Sequence, residues 1–253
     1  MLKIGIAGIA GRMGAMLVQE AARAGLAVAG GTDRQAAQGQ PFFADIAALA
    51  ANCDVVVDFT HASTVTAHAA ALQAAGRPWV LGTTGLSAAE QAAVAQAATR
   101  IAVVQAANYS PGVTLLLELV ARAAAALPAS EYDVEILEMH HRQKVDAPSG
   151  TALALGRAAA TARGVTLDSV AESGRDGQTG TRRPGAIGFA ALRGGQVVGE
   201  HSVIFAAGHE HIVLTHRAFD RAAFAAGAIR AAAWVATRPP GLYGMQDVLA
   251  TAP

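Results

Sequence analysis

The chain has 253 residues, 53% of them hydrophobic, and its 19 lysine and arginine residues balance 19 aspartate and glutamate residues, so the formal net charge is zero. This length allows one large or two modest domains, and the neutral charge argues against a nucleic-acid partner or a polybasic membrane-binding surface. Cys53 is the single cysteine, which excludes an internal disulfide and fits a reducing, cytoplasmic location. The N-terminus lacks the layout of a signal peptide, and no run of about twenty apolar residues avoids charges and helix breakers, so no membrane partner is expected.

A glycine-rich turn follows the first predicted strand, residues 2–7, and precedes a helical pattern over residues 15–24. Strand, glycine turn and helix in this order are typical of a dinucleotide-binding loop. Gly8 and Gly11 allow a tight turn and the close approach of a pyrophosphate, and Gly14 allows the helix to pack against the strand. The spacing is Gly-x-x-Gly-x-x-Gly, which alone is a weak signal, because a tight turn without a ligand can have the same sequence.

The second predicted strand, residues 26–31, leads to Asp33 and Arg34, about twenty residues beyond the glycine turn, where an acidic side chain binds the adenosine ribose in dinucleotide-binding domains. Asp33 can accept hydrogen bonds from the ribose of NADH, and Arg34 can pair with the 2′-phosphate of NADPH. An acid beside a base therefore penalises neither coenzyme outright. We predict that both NADH and NADPH are used and that this pair sets the balance.

Three further strands are predicted at residues 53–60, 78–81 and 101–105, with helices at 62–75 and from Ser87, where Glu90 completes a capping box. Small, aromatic and hydroxyl residues recur at the C-terminal ends of these strands, the edge at which ligands lie in an open parallel sheet. These residues are Phe59, Thr60, Gly82, Thr83, Thr84, Ala106, Ala107, Asn108 and Tyr109. An ordinary turn is the alternative for each, but their shared location favours a site. Cys53 lies at the opposite end of its strand and is predicted to be a core residue.

The second half of the chain has a different pattern. A helix is predicted over residues 112–127 and a strand at 134–137. A polar, basic loop at 174–185 precedes predicted strands at 187–192, 196–205 and 210–216, and a final helix covers residues 219–237. Gly194-Gly195 predicts a tight hairpin and residues 207–209 a second turn. We therefore predict an α/β protein in which a Rossmann-like dinucleotide-binding domain is joined to an α+β domain with a mostly antiparallel open sheet.

A basic cluster follows the strand at residues 134–137. Two histidines, an arginine and a lysine stand within the five residues from His140 to Lys144, and Ala-Pro-Ser-Gly-Thr at 147–151 then leads into an alanine-rich helix. The first N–H groups of a helix are unpaired and its dipole favours an anion. The cluster therefore suits the binding of a small carboxylate and the protonation of a group beside it. Taken singly, one histidine could be a core residue and the other a surface residue, because adjacent side chains of a strand point to opposite sides.

Residues 140–152, His-His-Arg-Gln-Lys-Val-Asp-Ala-Pro-Ser-Gly-Thr-Ala, resemble the signature of the 4-hydroxy-tetrahydrodipicolinate reductase (dihydrodipicolinate reductase) family of lysine and diaminopimelate synthesis. Gly-Arg-Met-Gly, Asp-Phe-Thr, Gly-Thr-Thr-Gly and Ala-Asn-Tyr-Ser in the first half stand where that family has its cofactor-binding segments. The family often has phenylalanine at the position of Tyr109, and we expect little change from the added hydroxyl. The resemblance implies that NADH or NADPH gives a hydride to a cyclic imine-type dicarboxylate, with overall loss of water.

The resemblance also assigns roles to residues. It implies that His140 is the acid–base histidine, that Lys144 is the proton-donating lysine, and that no metal takes part. The implied substrate-binding residues are His141, Lys144, Gly150 and Thr151, and the position of Ser149 at the same helix start adds it to the predicted substrate-binding residues. The implied cofactor-binding residues comprise the three glycines with Ile9, Ala10, Arg12 and Met13, the pair Asp33 and Arg34, and the nine residues at the ends of the later strands.

The resemblance further implies a homotetramer built through the sheets of the second domain, whose exposed edge strands would be a liability in a monomer. It also implies that the C-terminal segment returns to the first domain. The dinucleotide-binding domain is therefore predicted to comprise residues 1–110 and 220–253, and the substrate-binding and oligomerisation domain residues 111–219.

Three other classes of protein are less consistent with the sequence. A semialdehyde dehydrogenase needs a nucleophilic cysteine, and Cys53 is misplaced for one. A non-catalytic NAD(P)-sensing regulator would keep the glycine loop without needing the histidine and lysine cluster. A DNA-binding repressor should carry a basic winged-helix segment, which the sequence does not show.

Overall fold

The computed structural model describes residues 1–35 and 39–250, so the last three residues of the predicted segment 220–253 lie outside the described residues. The chain divides into two compact units, one comprising Met1–Pro111 with Arg221–Pro253 and the other Gly112–Asp220. In the described ranges, no helix has the length and apolar character needed to cross a membrane.

Strands and helices alternate along the first part of the chain. In order they are β1 (Lys3–Ala7), α1 (Arg12–Arg23), β2 (Ala27–Thr32), α2 (Ile46–Ala51), β3 (Val55–Asp58), α3 (Val65–Ala75), β4 (Trp79–Leu81), α4 (Ala88–Ala98) and β5 (Ala102–Gln105). The predicted strands and helices of this part are confirmed, and the capping box of Ser87 and Glu90 at the start of α4 is present. The short helix α2 was not predicted.

The middle part contains α5 (Pro111–Ala126), β6 (Asp133–His140), α6 (Gly150–Ala162), α7 (Leu167–Val170), β7 (Ala171–Ser173), β8 (Ile187–Arg193), β9 (Gly199–Ala206) and β10 (His211–Ala218). The C-terminal part contains α8 (Ala222–Val235), β11 (Gly241–Tyr243) and α9 (Met245–Ala250). The predicted final helix is confirmed as α8, whereas α7, β7, β11 and α9 were not predicted.

The first unit contains a six-stranded sheet in the order β11-β5-β4-β3-β1-β2, and every neighbouring pair is parallel. The sheet is covered on both faces, as all-parallel sheets require. Ile4 and Val57 belong to a core shared with Leu17 of α1 and Ala228 of α8, while the opposite face packs against α2, α3 and α4. The chain runs from β1 outward to β2 and then to β3 on the other side of β1, which creates a switch point where ligands bind in such folds.

The second unit contains a five-stranded sheet in the order β10-β9-β6-β8-β7. Its central strand β6 is antiparallel to β9 and parallel to β8, and β7 is parallel to β8. The prediction of a mostly antiparallel sheet is therefore wrong, since the sheet is mixed. Helices α5 and α6 pack on one face, where Val120 and Leu155 share a core with Ile136 and Val203.

The glycine pair between β8 and β9 explains this correction. Gly194-Gly195 does not form a hairpin of paired strands, because β6 lies between β8 and β9. The chain crosses the end of β6, where the Gly194 N–H donates to the carbonyl of His140 at 2.9 Å and the Gly195 carbonyl accepts from the N–H of Arg142 at 3.3 Å. The other predicted turn, at residues 207–209, is confirmed, since it joins the antiparallel strands β9 and β10.

Candidate functional site

The glycine loop of the first unit is shaped to receive a pyrophosphate. Gly8 has a φ of +86°, in the left-handed region that favours glycine. Helix α1 begins after Gly11, which has no side chain to cap it, so the first turn keeps N–H groups for an anion. A Cβ on Gly14 would lie 2.3 Å from the Gly8 carbonyl oxygen, so only glycine allows the helix to pack this closely on the loop. The loop therefore fits the phosphates of a dinucleotide.

Asp33 joins the end of β2 to this loop. One carboxylate oxygen accepts the N–H of Ala10 at 3.0 Å, and the other accepts the N–H of Arg34 at 2.7 Å. A carboxylate has about four lone-pair sites, so hydroxyl donors of a ribose still find acceptors on Asp33. The Arg34 side chain is exposed. The two residues are placed as the sequence analysis expected, and Asp33 has the additional task of holding the loop.

The loops after β3 and β4 are held by a buried carboxylate that the sequence analysis did not single out. Asp58 is fully buried, accepts both the N–H of Thr60 at 3.0 Å and its hydroxyl at 2.6 Å, and lies 2.7 Å from Nδ1 of His68 on α3. The Thr83 hydroxyl donates to the carbonyl of Thr60 at 3.1 Å. Thr60 and Thr83 are thus fixed relative to each other at the ligand edge of the sheet.

Tyr109 lies in the core of the first unit. Its ring is 5.4 Å from that of Phe59, and its hydroxyl lies 2.9 Å from the carbonyl oxygens of both Leu81 and Val104, at the ends of β4 and β5. Burial raises the pKa of the Tyr109 hydroxyl, which therefore stays protonated and serves as a donor. A phenylalanine would leave these carbonyls without that donor. The hydroxyl is a structural contact, consistent with the expected small effect on function.

The remaining predicted cofactor residues lie at the same edge. A Cβ on Gly82 would come within 2.2 Å of the Phe59 ring, so the loops after β3 and β4 are tightly packed. Thr84 and Ala107 are exposed, and the Asn108 side chain accepts the N–H of Ser110 at 2.8 Å. In this all-parallel sheet, the glycine loop and all the predicted strand-end residues follow C-terminal strand ends.

In the second unit, Glu138 and His140 lie on the buried face of β6. They share the alternation of Val134 and Ile136, and Glu138 is only 1% exposed. The Nδ1 atom of His140 lies 2.6 Å from Glu138 Oε2. Arg193, at the end of β8, donates to both oxygens of Glu138 at 2.8 Å. The acid–base histidine implied by the family resemblance is thus anchored by a carboxylate and an arginine.

The start of α6 lies beside this anchor. The N–H of Ser149 donates to Glu138 Oε1 at 3.0 Å, and the Ser149 hydroxyl caps the helix by accepting the N–H of Ala152 at 3.1 Å. The same hydroxyl lies 3.0 Å from Nε2 of His201, so the Ser149 side chain already has two partners. Gly150 opens α6 toward free space, since nothing lies within 4 Å of the position of a Cβ. An anion can therefore approach the helix start at Gly150.

Lys144 lies in the loop that joins β6 to α6. Its ammonium is 2.8 Å from Asp146, whose carboxylate is 54% exposed. The hydrogen bond from Lys144 lowers the pKa of Asp146. Because the pair is solvated, a substrate carboxylate can replace Asp146 at little cost. The main chain of the loop turns back here, with the Lys144 N–H donating to the carbonyl of His141 at 3.1 Å.

Burial controls the protonation of the two histidines that face each other. The rings of His140 and His201 lie 5.1 Å apart and edge-on. Burial lowers the pKa of His140 below its ordinary value; Glu138 opposes this shift, and the charges of Lys144 and Arg193 add to it. Burial, with the charge of His140, lowers the pKa of His201 to about 4. Both rings are therefore neutral at pH 7.

Two other observations concern metal-ligating side chains and the cysteine. In residues 1–35 and 39–250, no three histidine, cysteine, aspartate or glutamate side chains are grouped so that they could hold a metal ion. Cys53 is 3% exposed, and burial raises the pKa of its thiol to about 11. Cys53 is confirmed as a core residue and is unsuited to act as a nucleophile.

A parallel sheet with a glycine loop at its switch point, joined to a second unit with a buried histidine bonded to a carboxylate, is typical of two-domain nicotinamide dinucleotide-dependent oxidoreductases. The family model described as "Dihydrodipicolinate reductase, N-terminus" matches residues 2–109, and "Dihydrodipicolinate reductase, C-terminus" matches residues 112–249. The chain therefore belongs to the dihydrodipicolinate reductase family, as the sequence resemblance indicated.

Individual relatives agree with this assignment. The chain is 61% identical over 253 residues to the 4-hydroxy-tetrahydrodipicolinate reductase of Granulibacter bethesdensis, covering 98% of this chain and 97% of the relative. It is 60% identical over 248 residues to the same reductase of Gluconacetobacter diazotrophicus, with the same coverage. A solved dihydrodipicolinate reductase from Paenisporosarcina sp. TG-14 shares the fold, with a TM-score of 0.80 over 98% of this chain and 99% of that chain at 23% identity. The chain is thus an oxidoreductase of the reductase step of lysine and diaminopimelate biosynthesis.

Proposed function

We propose that the chain reduces 4-hydroxy-tetrahydrodipicolinate to tetrahydrodipicolinate with a hydride from NADH or NADPH, one proton and loss of one water, and that His140 is the acid–base residue and Lys144 the proton donor. The observation that carries this proposal is the anchored histidine: Nδ1 of His140 lies 2.6 Å from the buried carboxylate of Glu138, at the end of the strand that leads to Lys144. A buried, hydrogen-bonded histidine, followed in the chain by the cation of Lys144, suits the protonation of a substrate that has just received electrons.

The substrate is a dicarboxylate, and we assign its binding to the loop and helix start of the second unit. Gly150 and Thr151 can offer helix N–H groups to one carboxylate, and Lys144 and His141 can supply charge and hydrogen bonds to the other parts of the molecule. Ser149 contributes through its position as the N-cap of α6, since its hydroxyl is already bonded to Ala152 and His201. The relative from Paenisporosarcina is described as dipicolinate-bound, which makes dipicolinate a suitable probe.

The first unit is assigned to the nicotinamide dinucleotide, which supplies the hydride when bound. Gly8 to Gly14 would hold its pyrophosphate, Asp33 its ribose, and the loops after β3, β4 and β5 its nicotinamide half. We further propose that NADH and NADPH are both accepted, because the exposed guanidinium of Arg34 can pair with a 2′-phosphate that Asp33 would repel.

Two substitutions test the catalytic assignment. His140→Gln should lower turnover by about 10²- to 10⁴-fold and leave coenzyme binding intact, as expected for the loss of an acid–base group. Lys144→Ala should lower both turnover and substrate affinity, because a cation that binds and donates serves the ground state and the transition state. Near wild-type activity in either variant would exclude the role of that residue, provided that circular dichroism shows the variant folded.

The alternative of a semialdehyde dehydrogenase is disfavoured by the burial of Cys53 and the raised pKa of its thiol. A coenzyme-sensing regulator has no need for the bonded set of Glu138, His140 and Arg193. Loss of NAD(P)H absorbance on addition of the substrate separates these possibilities, since a sensor would bind coenzyme without turnover.

We also propose that the enzyme is a cytoplasmic homotetramer assembled through the second unit. The face of its sheet opposite α5 and α6 carries Leu137, Leu192 and Val213, which are 37%, 49% and 55% exposed. An apolar sheet face of this kind favours association with further copies of the chain. Leu137→Glu should lower the molar mass measured by light scattering, whereas Val165→Glu, at an apolar position after α6, should not. A monomeric wild-type protein would contradict the proposal.

A further inference from the structure

Glu138 has a complete set of hydrogen-bond donors. Oε1 accepts from the Ser149 N–H at 3.0 Å and from Arg193 Nη2 at 2.8 Å. Oε2 accepts from Arg193 Nη1 at 2.8 Å and lies 2.6 Å from His140 Nδ1. A carboxylate has about four lone-pair sites, so every site is occupied. The main-chain N–H and the guanidinium can only donate, which keeps the buried carboxylate ionised and prevents its rotation.

This arrangement defines the tautomer of His140. An ionised carboxylate can only accept, so Nδ1 of His140 carries a hydrogen in both protonation states of the ring. Nε2 is therefore the atom that gains and loses the proton. Nε2 lies on the side of Gly199, where an added Cβ would come within 3.1 Å, so a side chain at position 199 would crowd this atom.

Arg193 links the anchor to the loop that carries Lys144. Besides its two bonds to Glu138, it donates to the carbonyl of Asp146 at 2.6 Å. Asp146 in turn pairs with Lys144. A single guanidinium, from the end of the neighbouring strand β8, therefore bonds to both the carboxylate that orients His140 and the main chain two residues beyond Lys144.

We propose that Glu138 and Arg193 are positioning residues for the reduction. Glu138 fixes the ring orientation and tautomer of His140, so that Nε2 is the proton-transferring atom. Arg193 keeps Glu138 ionised and fixes its position relative to the loop that carries Lys144. This inference rests on the proposed role of His140. A buried ion pair is weak evidence for stability, because replacing it by apolar groups is often neutral, which makes a role in orientation the better explanation of this set.

The groups that face His140 set the expected pH dependence. They are Glu138 on its own strand, Lys144 on the following loop, Arg193 on β8 and His201 on β9. The bond and charge of Glu138 favour the protonated ring, whereas Lys144 and Arg193 oppose it. Removing Glu138 should therefore move the pKa of His140 down, and removing Arg193 should move it up.

The test compares the pH profile of kcat in the full-length enzyme for the wild type, Glu138→Gln, Arg193→Met and His140→Gln. The limb of the pH profile that is present in the wild type and absent in His140→Gln reports the titration of His140. Glu138→Gln should lower kcat by about 10- to 1,000-fold, as loss of an orienting partner does, and should move this limb to lower pH. Arg193→Met should also lower kcat but move the limb to higher pH, and Arg193→Lys should recover part of the loss.

Two controls make the result specific. Glu135 lies on the same strand, and its carboxylate is also bonded by arginines, Arg175 and Arg182, but it does not contact His140. The substitution Glu135→Gln should therefore leave the His140 limb of the pH profile in place. Adding Glu138→Gln to His140→Gln should cost little more, since residues that act as a unit are not additive. Unchanged kcat and limb in Glu138→Gln and Arg193→Met, with low activity in His140→Gln, would overturn this inference alone. High activity in His140→Gln would overturn the proposed function itself.

Discussion

The buried histidine His201 makes a quantitative prediction about stability and pH. It is 4% exposed, its Nε2 bonds to the Ser149 hydroxyl, and its Nδ1 is buried without a hydrogen-bond partner in the described part of the chain. Protonating the ring would place a positive charge in this buried site. Burial, with the charge of His140 as a smaller cause, therefore lowers the pKa of His201 from the ordinary 6.5 to about 4.

The sign and size of the effect follow from proton linkage. Between about pH 6.5 and about pH 4, the unfolded state binds a proton at position 201 that the folded state does not, so this contribution to stability is present above pH 6.5 and is lost as the pH falls. At about 1.4 kcal/mol per pKa unit, the full loss is about 3 kcal/mol, of which about 2 kcal/mol falls between pH 8 and pH 5.

The assay is urea unfolding of the full-length wild type and His201→Gln, in which the amide can keep a hydrogen bond to Ser149. The fall in the free energy of unfolding from pH 8 to pH 5 should be smaller in the variant by about 2 kcal/mol. Val203→Ala, a buried position on the same strand, destabilises by loss of packing and should keep the wild-type pH dependence. Parallel pH curves for the wild type and His201→Gln would refute the reasoning.

Three further predictions concern the first unit. Arg34→Ala should raise the KM for NADPH much more than that for NADH, whereas Asp33→Ala should raise the KM for NADH more and also loosen the glycine loop. The measurement is kcat/KM for both coenzymes at one ionic strength, and equal losses for the two coenzymes in Arg34→Ala would contradict the assignment. Gly14→Ala should abolish coenzyme binding measured by fluorescence, because its Cβ would lie 2.3 Å from the Gly8 carbonyl oxygen; unchanged affinity would show that the loop can move. His68→Leu should raise the KM for the coenzyme several-fold and leave kcat within about twofold, since it removes a partner of Asp58 and contacts no reacting atom; a large fall in kcat alone would be inconsistent with that role.

The local patterns of the sequence predicted the first unit well. Strands such as β1 and β3 are short apolar runs bounded by glycine or polar residues, α1 shows an apolar periodicity, and α8 is a long alanine-rich run. The short elements α2, α7, β7, β11 and α9 were missed because three to six residues are too few to show a period. The ligand edge of the sheet could be predicted because all the strands are parallel and their C-terminal ends therefore share one side.

Sheet pairing in the second unit could not be predicted locally. Gly194-Gly195 has the composition of a hairpin turn, but a strand from much earlier in the chain, β6, pairs with both β8 and β9. Only long-range packing decides which strand lies between two others. The same glycine pair can connect two strands that pair with each other or two strands separated by β6, so its presence does not predict the pairing.

The anchor of the candidate site was partly visible in the sequence. Glu138 stands two residues before His140 and continues the buried alternation of Val134 and Ile136, and a charged residue at a buried position signals a partner. His201 likewise precedes Val203 and Phe205 on the buried face of β9. The partner Arg193 is 55 residues from Glu138 in the chain, so the pairing itself required the fold.

The most direct test of the account is the rate of NAD(P)H oxidation by the wild type on addition of freshly generated 4-hydroxy-tetrahydrodipicolinate, with coenzyme affinity measured on the same protein. The account predicts turnover by the wild type, inhibition by dipicolinate, and a rate about 10²- to 10⁴-fold lower in His140→Gln at unchanged coenzyme affinity. Coenzyme binding without turnover in the wild type, or equal rates in the wild type and His140→Gln, would contradict it.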